Sequence, residues 1–266
     1  MKALLLGQWN ALLAYQDIAG AGPARVFIHG LGTASSSDFP GVIASPAMRL
    51  RRSLLVDLLG FGFSERPAAF TYTLEDHART VAMLLDHLGL AGCEVVGHSA
   101  GGSVAIVLAT SRPELVARLV LAEANLEPGP QEGSNAAFSR SVAGRPEEEY
   151  VRTAYPEFLT MLRTEATDFA VRFRMADPRA IHRTAVSLVS AAPPILRERL
   201  LGLEIPKVYI FGEQTLQNAD MAARAAALPE QGVPVFIVPG VDHGMGLSDQ
   251  PAGFAEVLQR ALMTGA

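Results

Sequence analysis

One pentapeptide carries the residue types and spacing of a nucleophile. Residues 97–101 read GHSAG, a G-x-S-x-G pattern, with an apolar run at 94–96 before it and an apolar helical pattern from Gly102 after it. A serine on such a sharp strand-to-helix turn is held in a strained conformation that needs small residues on both sides. The turn raises the hydroxyl above the sheet and points the helix N-terminus at developing negative charge. We therefore predict that Ser99 is a nucleophile.

A histidine that could activate this serine lies after the last apolar run of the chain. His243 follows the run at 235–238 and a Pro-Gly break, so it is expected on a loop at the carboxyl end of a strand. A serine hydroxyl is a weak nucleophile until a general base removes its proton. We predict that His243 is this base. The other histidines, which we interpret as bracing, structural or solvated groups, are His29, His77, His87, His98 and His182.

The carboxylate that should orient the histidine has more than one candidate. Glu123 directly follows the apolar run at 119–122, after the helix that the nucleophile begins. Burying a carboxylate at the end of an apolar strand costs free energy unless the carboxylate has a partner, and the histidine would be one. We predict Glu123 in this role. The alternatives are Asp220 and Glu213, whereas Asp242 is disfavoured because adjacent residues rarely face each other as a triad requires.

The same chemistry needs two hydrogen-bond donors for the oxyanion of a tetrahedral intermediate. The backbone N–H of Ala100, next to the nucleophile, is the first donor that we predict. Residues 29–32 read HGLG after another apolar run, and glycines there let the backbone approach a reacting centre. Leu31 is the predicted second donor, and Gly32 is the alternative. Loss of one such donor typically lowers turnover about a hundredfold or more.

The elements that must position these residues alternate along the first half of the chain. Thr73 is predicted to cap a helix with Asp76 at its third position, and residues 20–23, GAGP, predict a turn. This alternation of strands and helices indicates a mainly parallel sheet with helices on both faces. The apolar runs typical of strands in this half are 12–15, 25–28, 53–57, 94–96 and 119–122.

The pattern changes near Asn125. From there to about Glu204 the sequence has helical patterns and no convincing strand, and apolar runs typical of strands return at 208–211 and 235–238. Loops at the edge of a sheet tolerate such insertions. We therefore predict a catalytic core from residues 1–124 and 205–266, with a helical cap at 125–204.

Composition excludes several classes of protein. Net charge is −5, from 22 basic against 27 acidic residues, which is not the basic footprint of a nucleic-acid binder. The one cysteine, Cys93, excludes an intramolecular disulfide and a multi-cysteine zinc site. No apolar run is long enough for a membrane span, and the N-terminal run is too short for a signal peptide. These features predict a soluble, cytoplasmic protein.

Nearly the whole chain resembles the α/β-hydrolase fold family. The resemblance rests on HGLG at 29–32, DLLGFGFS at 57–64, the pentapeptide around Ser99 and GVDH at 240–243. It implies a hydrolytic mechanism with the order nucleophile, acid, histidine, and it implies a histidine base after the last strand.

The acid departs from the usual pattern of this family. Many members carry an aspartate in G-x-x-D after the strand found here at 208–211, but residues 212–215 read GEQT, so Thr215 replaces it. Haloalkane dehalogenases place the acid at the end of the strand after the nucleophile's helix, and AEA at 122–124 looks like their pattern. Their own nucleophile is aspartate, and so is that of epoxide hydrolases; Ser99 argues against both activities.

These features predict a serine carboxylesterase that acts on small or medium esters without a metal or cofactor. A small-molecule ester is the predicted partner, and oligomeric state is left open. The alternatives on the same triad are a lactonase, a thioesterase, a carbon–carbon bond hydrolase, a perhydrolase or a slow-turnover ligand sensor.

Several smaller expectations concern residues outside the triad. We interpret the loop at Asp57 as structural, and Cys93 as a buried and inert residue. Arg172 and Arg174 are expected on a solvated helix face, although either could meet an anionic substrate group. Met245, just past His243, is expected to approach the substrate.

Overall fold

Eight strands form one sheet in the order β1-β2-β4-β3-β5-β6-β7-β8 in the computed structural model, which describes residues 1–48, 50–128, 136–190 and 193–264. The pairs β1–β2 and β2–β4 are antiparallel, and every other neighbouring pair is parallel. The predicted fold class, a mainly parallel α/β sheet, is therefore confirmed. The strands are β1 (Lys2–Leu6), β2 (Ala11–Ile18), β3 (Ala21–Ile28), β4 (Arg51–Val56), β5 (Cys93–His98), β6 (Val116–Ala122), β7 (Lys207–Gly212) and β8 (Val235–Val238).

Helices cover both faces of the sheet, because the central strands are apolar on both. Side chains alternate along a strand, so Val95 packs into one buried cluster and Val96 into the other. The helices outside the β6–β7 connection are α1 (Ser35–Asp38), α2 (Pro40–Ala44), α3 (Leu74–His87), α4 (Ala100–Ser111), α11 (Ala219–Glu230) and α12 (Pro251–Met263). Helices α3 and α4 contribute to the Val95 cluster, and α2 and α12 to the Val96 cluster.

The connection between β6 and β7, here called the helical insertion, contains helices and no strand in its described part. The predicted cap at 125–204 falls in it, and residues 129–135 and 191–192 of that range lie outside the described residues. One turn of π-helix, Tyr150–Ala154, joins two of its helices. Its α-helices are α5 (Ala136–Ala143), α6 (Glu147–Glu149), α7 (Tyr155–Glu165), α8 (Thr167–Phe173), α9 (Pro178–Val189) and α10 (Leu196–Gly202).

An aromatic cluster holds this insertion together and fixes it to the sheet. Phe173 is fully buried and contacts the rings of Tyr155 and Phe158 at centroid distances of 5.3 and 5.2 Å. The backbone N–H of Asp177 donates to the carbonyl of Gly60 at 2.8 Å, which ties the insertion to the loop after β4. The insertion is therefore packed against the core through both apolar and polar contacts.

Strand register explains why the predicted chemical residues meet. Ile28 of β3 lies opposite Gly97 of β5, and His98 lies opposite Ala122 of β6. Because these strands are parallel, the residues that follow them emerge at one edge of the sheet. Ser99 and Glu123 are thus brought side by side by the pairing of β5 with β6.

One strand was not predicted, and one predicted turn is wrong in part. Strand β1 pairs with β2, although the N-terminal apolar run was not predicted as a strand. The predicted turn at 20–23 is wrong from Ala21 onward, because that residue begins β3 and pairs with Arg51. A Cβ on Gly20 would lie 2.2 Å from the carbonyl carbon of Arg51, so glycine there permits close approach to β4.

No helix in the described part of the chain has the length and apolar character needed to cross a membrane.

Candidate active site

Ser99 occupies a strained turn between β5 and α4. Its backbone has φ 51° and ψ −123°, a conformation that is costly for a residue with a side chain. The turn is also tightly enclosed by backbone. A Cβ on Gly97 would lie 2.6 Å from the carbonyl oxygen of Gly101, and a Cβ on Gly101 would lie 2.3 Å from that of His29. Only glycine fits at either flank, which accounts for the spacing of the pentapeptide.

His243 lies on the loop after β8 and bridges two polar side chains. Its Nε2 is 3.1 Å from the Ser99 Oγ, and its Nδ1 is 2.7 Å from the Glu123 Oε2. A carboxylate accepts hydrogen bonds only, so the Nδ1 must donate to it. In the neutral ring, the Nε2 is then left with its lone pair facing the serine hydroxyl. This is the tautomer that a general base needs.

Glu123 is fully buried at the end of β6 and is held from two sides. Its Oε1 accepts the backbone N–H of Gly212 at 2.8 Å, and its carboxylate also accepts a hydrogen bond from the Thr215 side chain. Burial raises the pKa of the Glu123 carboxyl, but the hydrogen bond and charge of His243 and the two further hydrogen bonds outweigh it. The pKa therefore lies below its ordinary value, and Glu123 is ionised at neutral pH.

The other candidate acids make different contacts. Glu213 accepts the backbone N–H of Gly240 at 2.8 Å, and Asp242 accepts that of Gly244 at 2.8 Å. Asp220 is exposed in the first turn of α11. Glu213 and Asp242 therefore brace the loop that carries the histidine, and Glu123 is the carboxylate at the histidine ring.

The two backbone N–H groups predicted as oxyanion donors lie close to Ser99 in the chain or in the cleft. Ala100 is the first residue of α4, so its N–H has no partner within the helix. The N–H of Leu31 has no hydrogen-bond partner among the described residues, and Leu31 lines the cleft that contains Ser99. A Cβ on Gly30 would lie 3.3 Å from the Ser99 Cβ, which shows how closely this loop passes the serine. The alternative, Gly32, lies beside Phe173, which a Cβ there would meet at 2.6 Å.

Two buried groups hold the Leu31 loop in place. His29 contacts the carbonyl oxygen of Gly30 through its Nδ1 at 2.8 Å and accepts the Leu58 N–H at its Nε2 at 3.1 Å. Burial lowers the pKa of His29, so the ring is neutral. Asp57 accepts the N–H and the hydroxyl of Ser36 at 2.9 and 2.7 Å. These contacts agree with the bracing role predicted for both residues.

His98 is a positioning group that the sequence did not single out beyond a bracing role. Its Nε2 donates to the carbonyl oxygen of His243 at 2.8 Å, and burial lowers its pKa to about 4. The neutral ring therefore fixes the backbone of the candidate base. The sequence feature that could have indicated this contact with His243 is the position of His98 in the pentapeptide, directly before Ser99.

The candidate site opens into a cleft of about 750 Å³. Ser99 and His243 lie in its wall, and the helical insertion contributes Phe169 and Arg172. A second cleft of about 590 Å³, between α3 and α9, contains none of the three triad candidates. We place the candidate site in the first cleft, because the hydrogen-bonded chain lies there. Within the described residues, no group of three or more His, Cys, Asp or Glu side chains is arranged to hold a metal ion.

Two smaller expectations about the cleft are wrong. Arg172 was expected on a solvated helix face, but it lines the cleft and its Nη1 donates to the Asp38 Oδ1 at 3.0 Å. Met245 was expected near the substrate, but it is fully buried in the Val96 cluster. Arg174 is exposed, as expected. The Arg172 contact joins residues far apart in sequence, which no local pattern indicates.

The chain belongs to the α/β-hydrolase fold family, whose model matches residues 23–194. Haloalkane dehalogenase 2 of Mycobacterium tuberculosis is 31% identical over 196 residues, covering 70% of this chain and 67% of that protein. The 2-hydroxymuconate semialdehyde hydrolase of Pseudomonas putida is 40% identical over 102 residues, which is 38% of this chain. That match spans 36% of the relative's own length.

The solved structures agree on the fold. An esterase from Exiguobacterium antarcticum has a TM-score of 0.79 and 19% sequence identity, over 98% of this chain and 99% of that one.

Proposed function

We propose that the protein is a serine hydrolase that cleaves small or medium carboxylic esters through an acyl-enzyme on Ser99. One observation carries the proposal. The Ser99 Oγ, the His243 ring and the Glu123 carboxylate form a continuous hydrogen-bonded chain, with distances of 3.1 and 2.7 Å, in the wall of an open cleft. This arrangement supports acyl transfer, because the serine can lose its proton as it attacks.

The steps follow from the direction of each hydrogen bond. His243 takes the Ser99 proton at its Nε2 while the Oγ attacks the ester carbonyl, and it then gives that proton to the leaving alcohol. Glu123 holds the ring in the required tautomer and stabilises its positive charge. Water, activated by the same ring, then attacks the acyl-enzyme and releases the acid. No step requires a metal or cofactor.

The N–H groups of Leu31 and Ala100 are proposed to stabilise the tetrahedral intermediate. Both are fixed before the reaction, since Ala100 begins a helix and the Leu31 loop is braced by His29. Donors held in advance cost no reorganisation when the charge develops. The helix α4 adds its N-terminal dipole to the same region.

Residues 125–204 are proposed to act as a cap over the cleft. The support is that Phe169 and Arg172, both from the helical insertion, line the same cleft as Ser99. A cap of this kind sets the size and chemistry of the acyl or alcohol group that enters. The core would then be residues 1–124 and 205–266.

A second candidate is a hydrolase for 2-hydroxymuconate semialdehyde or a related compound. The observation that favours it is the match to the Pseudomonas putida enzyme of that name, which covers only part of each chain. The two candidates share the same triad, so direct assay separates them. Turnover of that semialdehyde without turnover of simple esters would favour the second candidate.

Replacing Ser99 by alanine tests the nucleophile. We expect Ser99→Ala to lower hydrolysis of p-nitrophenyl butyrate by about a thousandfold or more, since the oxyanion donors alone remain. The matched control is Ser248→Ala, an exposed serine on the rim of the same cleft, which should retain activity. Mass spectrometry after treatment with a fluorophosphonate should locate the label on Ser99 in the wild type. Full turnover by Ser99→Ala would refute the assignment.

A further inference from the structure

Asp38 is a buried carboxylate in the cleft wall with one oxygen unused. The residue is 2% exposed at the end of α1. Its Oδ1 accepts the Arg172 Nη1 at 3.0 Å and the Ser37 hydroxyl at 3.2 Å. Its Oδ2 has no hydrogen-bond partner among the described residues, and the atom keeps some exposure to solvent. A buried acceptor left open on a cleft can be satisfied by water or by a group of a bound ligand.

Arg172 is the only cation among the described side chains of this cleft, and it is already engaged. Besides the ion pair with Asp38, its Nε donates to the Asp168 carbonyl at 3.4 Å, and its guanidinium lies 5.5 Å from the centre of the Phe169 ring. These contacts fix the arginine against the wall. Its charge is balanced by Asp38, so the arginine adds no net positive charge to the cleft, and the Asp38 Oδ2 stays open to a ligand.

The remaining charged side chains of the described lining are all acidic and lie at the rim. They are Asp168, Asp242 and Asp249, and each is exposed. A cleft lined by charges of one sign raises the local concentration of ligands of the opposite sign. The balance of the lining therefore favours a cation and opposes an anion.

The field of Asp38 extends to the residue beside the nucleophile. Burial dominates the pKa of His98 and lowers it to about 4, while the negative charge of Asp38 acts in the opposite direction. The same holds for His29, whose pKa is also lowered by burial. A positive group on a bound ester would lie within reach of the same field.

We propose that the preferred substrates are esters that carry a positive charge on the acyl chain, and that Asp38 is the residue that selects them. This proposal rests on the ester hydrolysis proposed above. The free Oδ2 provides the acceptor, and the rim aspartates attract the charged ester towards it. The product of hydrolysis is then a zwitterion, which the same carboxylates hold less tightly than the ester, since its new carboxylate is repelled.

Three p-nitrophenyl esters with acyl chains of equal length test the proposal. The chains end in a trimethylammonium group, a tert-butyl group or a carboxylate, so that charge changes while shape and leaving group stay nearly constant. We expect kcat/KM for the cationic ester to exceed that of the neutral one about threefold to tenfold at low ionic strength. The ratio should fall towards one in about 1 M NaCl, where screening acts within about 3 Å.

The same ratio reports on Asp38. In Asp38→Asn we expect the cationic-to-neutral ratio to fall to one or below, because the selecting charge is gone and Arg172 is left without its counter-ion. Any loss of folding or general activity affects both esters and cancels in the ratio. The matched control is Asp86→Asn, which also removes one negative charge. Asp86 is exposed on α3 and does not line the cleft, so this variant should leave the ratio unchanged.

Two results would overturn the proposal. One is equal kcat/KM for all three esters in the wild type at low salt. The other is preference for the carboxylate ester that disappears in Arg172→Gln, which would make Arg172 the selecting residue instead. If no ester is turned over, ester hydrolysis fails as the function. Charge selection is then read from the rates at which cationic and neutral phosphonate esters label Ser99.

Discussion

The carboxyl ends of β6 and β7 lie side by side at one edge of the sheet, yet they present opposite kinds of group. The end of β6 supplies the Glu123 carboxylate to the histidine ring, and the end of β7 supplies two donors to that carboxylate, the N–H of Gly212 and the hydroxyl of Thr215. Many members of the family carry the acid after the second of these strands. We infer from this difference that the site needs one carboxylate at the histidine, which either strand end can supply if the other supplies donors.

Removing the charge from the β6 side is expected to have the largest effect on this arrangement. Glu123→Gln would leave the Gly212 contact possible but would present an amide N–H to the His243 Nδ1, which favours the wrong tautomer. We expect kcat to fall by about a hundredfold to ten thousandfold. The measurement is steady-state hydrolysis of p-nitrophenyl butyrate. The matched control is Glu213→Gln, since Glu213 contacts Gly240 and not the histidine ring; an equal loss in both variants would contradict the assignment.

Moving the carboxylate to the β7 side is the sharper test. Thr215→Asp combined with Glu123→Gln should recover about tenfold or more of the kcat lost in Glu123→Gln alone, because position 215 already reaches the carboxylate. Recovery would show that the two strand ends are interchangeable. Thr215→Asn in the same background serves as the control, because it has the size but not the charge. Equal rates for the Asp and Asn forms would show that a carboxylate at position 215 cannot take the place of Glu123.

Removing only the donor from the β7 side should have the smallest effect. Thr215→Val deletes one hydrogen bond to the Glu123 carboxylate, worth about 1 kcal/mol, so kcat should fall about twofold to tenfold. The pH dependence of stability is the more specific readout. Burial raises the pKa of Glu123 and the hydrogen bonds lower it, with the net shift downward. Loss of one donor therefore raises the pKa of Glu123 in the folded protein.

The sign of this shift also applies to stability. A carboxyl whose folded pKa is depressed contributes stability above its unfolded pKa and loses it as pH falls through the folded pKa. Thr215→Val brings the folded pKa closer to the unfolded one, so the variant should be less stable than the wild type at neutral pH. Denaturation at pH 7 and near pH 4 checks this. Unchanged stability at both pH values would show that Thr215 does not act on Glu123.

The sequence predicted the parts of the molecule that depend on local patterns. The fold class followed from alternating apolar runs and helical patterns, and the family is confirmed. The structure brings Ser99, His243 and Glu123 together, as their positions after three strands indicated, although their catalytic roles remain predictions. Ser99 and Glu123 directly follow an apolar strand and His243 lies on the loop after one, so the parallel pairing of these strands carries all three to one edge.

The parts that could not be predicted depend on contacts between distant segments. The ion pair of Asp38 with Arg172 joins the loop after β3 to the helical insertion, and neither residue is marked by a local motif. Thr215 was noted only as a missing aspartate, because a hydroxyl that donates to a buried carboxylate has no sequence pattern. The predicted turn at 20–23 was wrong for a related reason. Gly20 permits a close contact with Arg51 of β4, and these two residues are distant in sequence.

Glu123 is also the residue at which the chain leaves the sheet to enter the helical insertion, and its φ of 47° marks that departure. In proteins that carry the acid after β7, the acid lies beyond the returning end of such an insertion. Here Glu123 lies where the insertion begins, so we infer that a displacement of the insertion would pull on the backbone of the residue that contacts the histidine. Substrate entry and the alignment of His243 would then be mechanically linked.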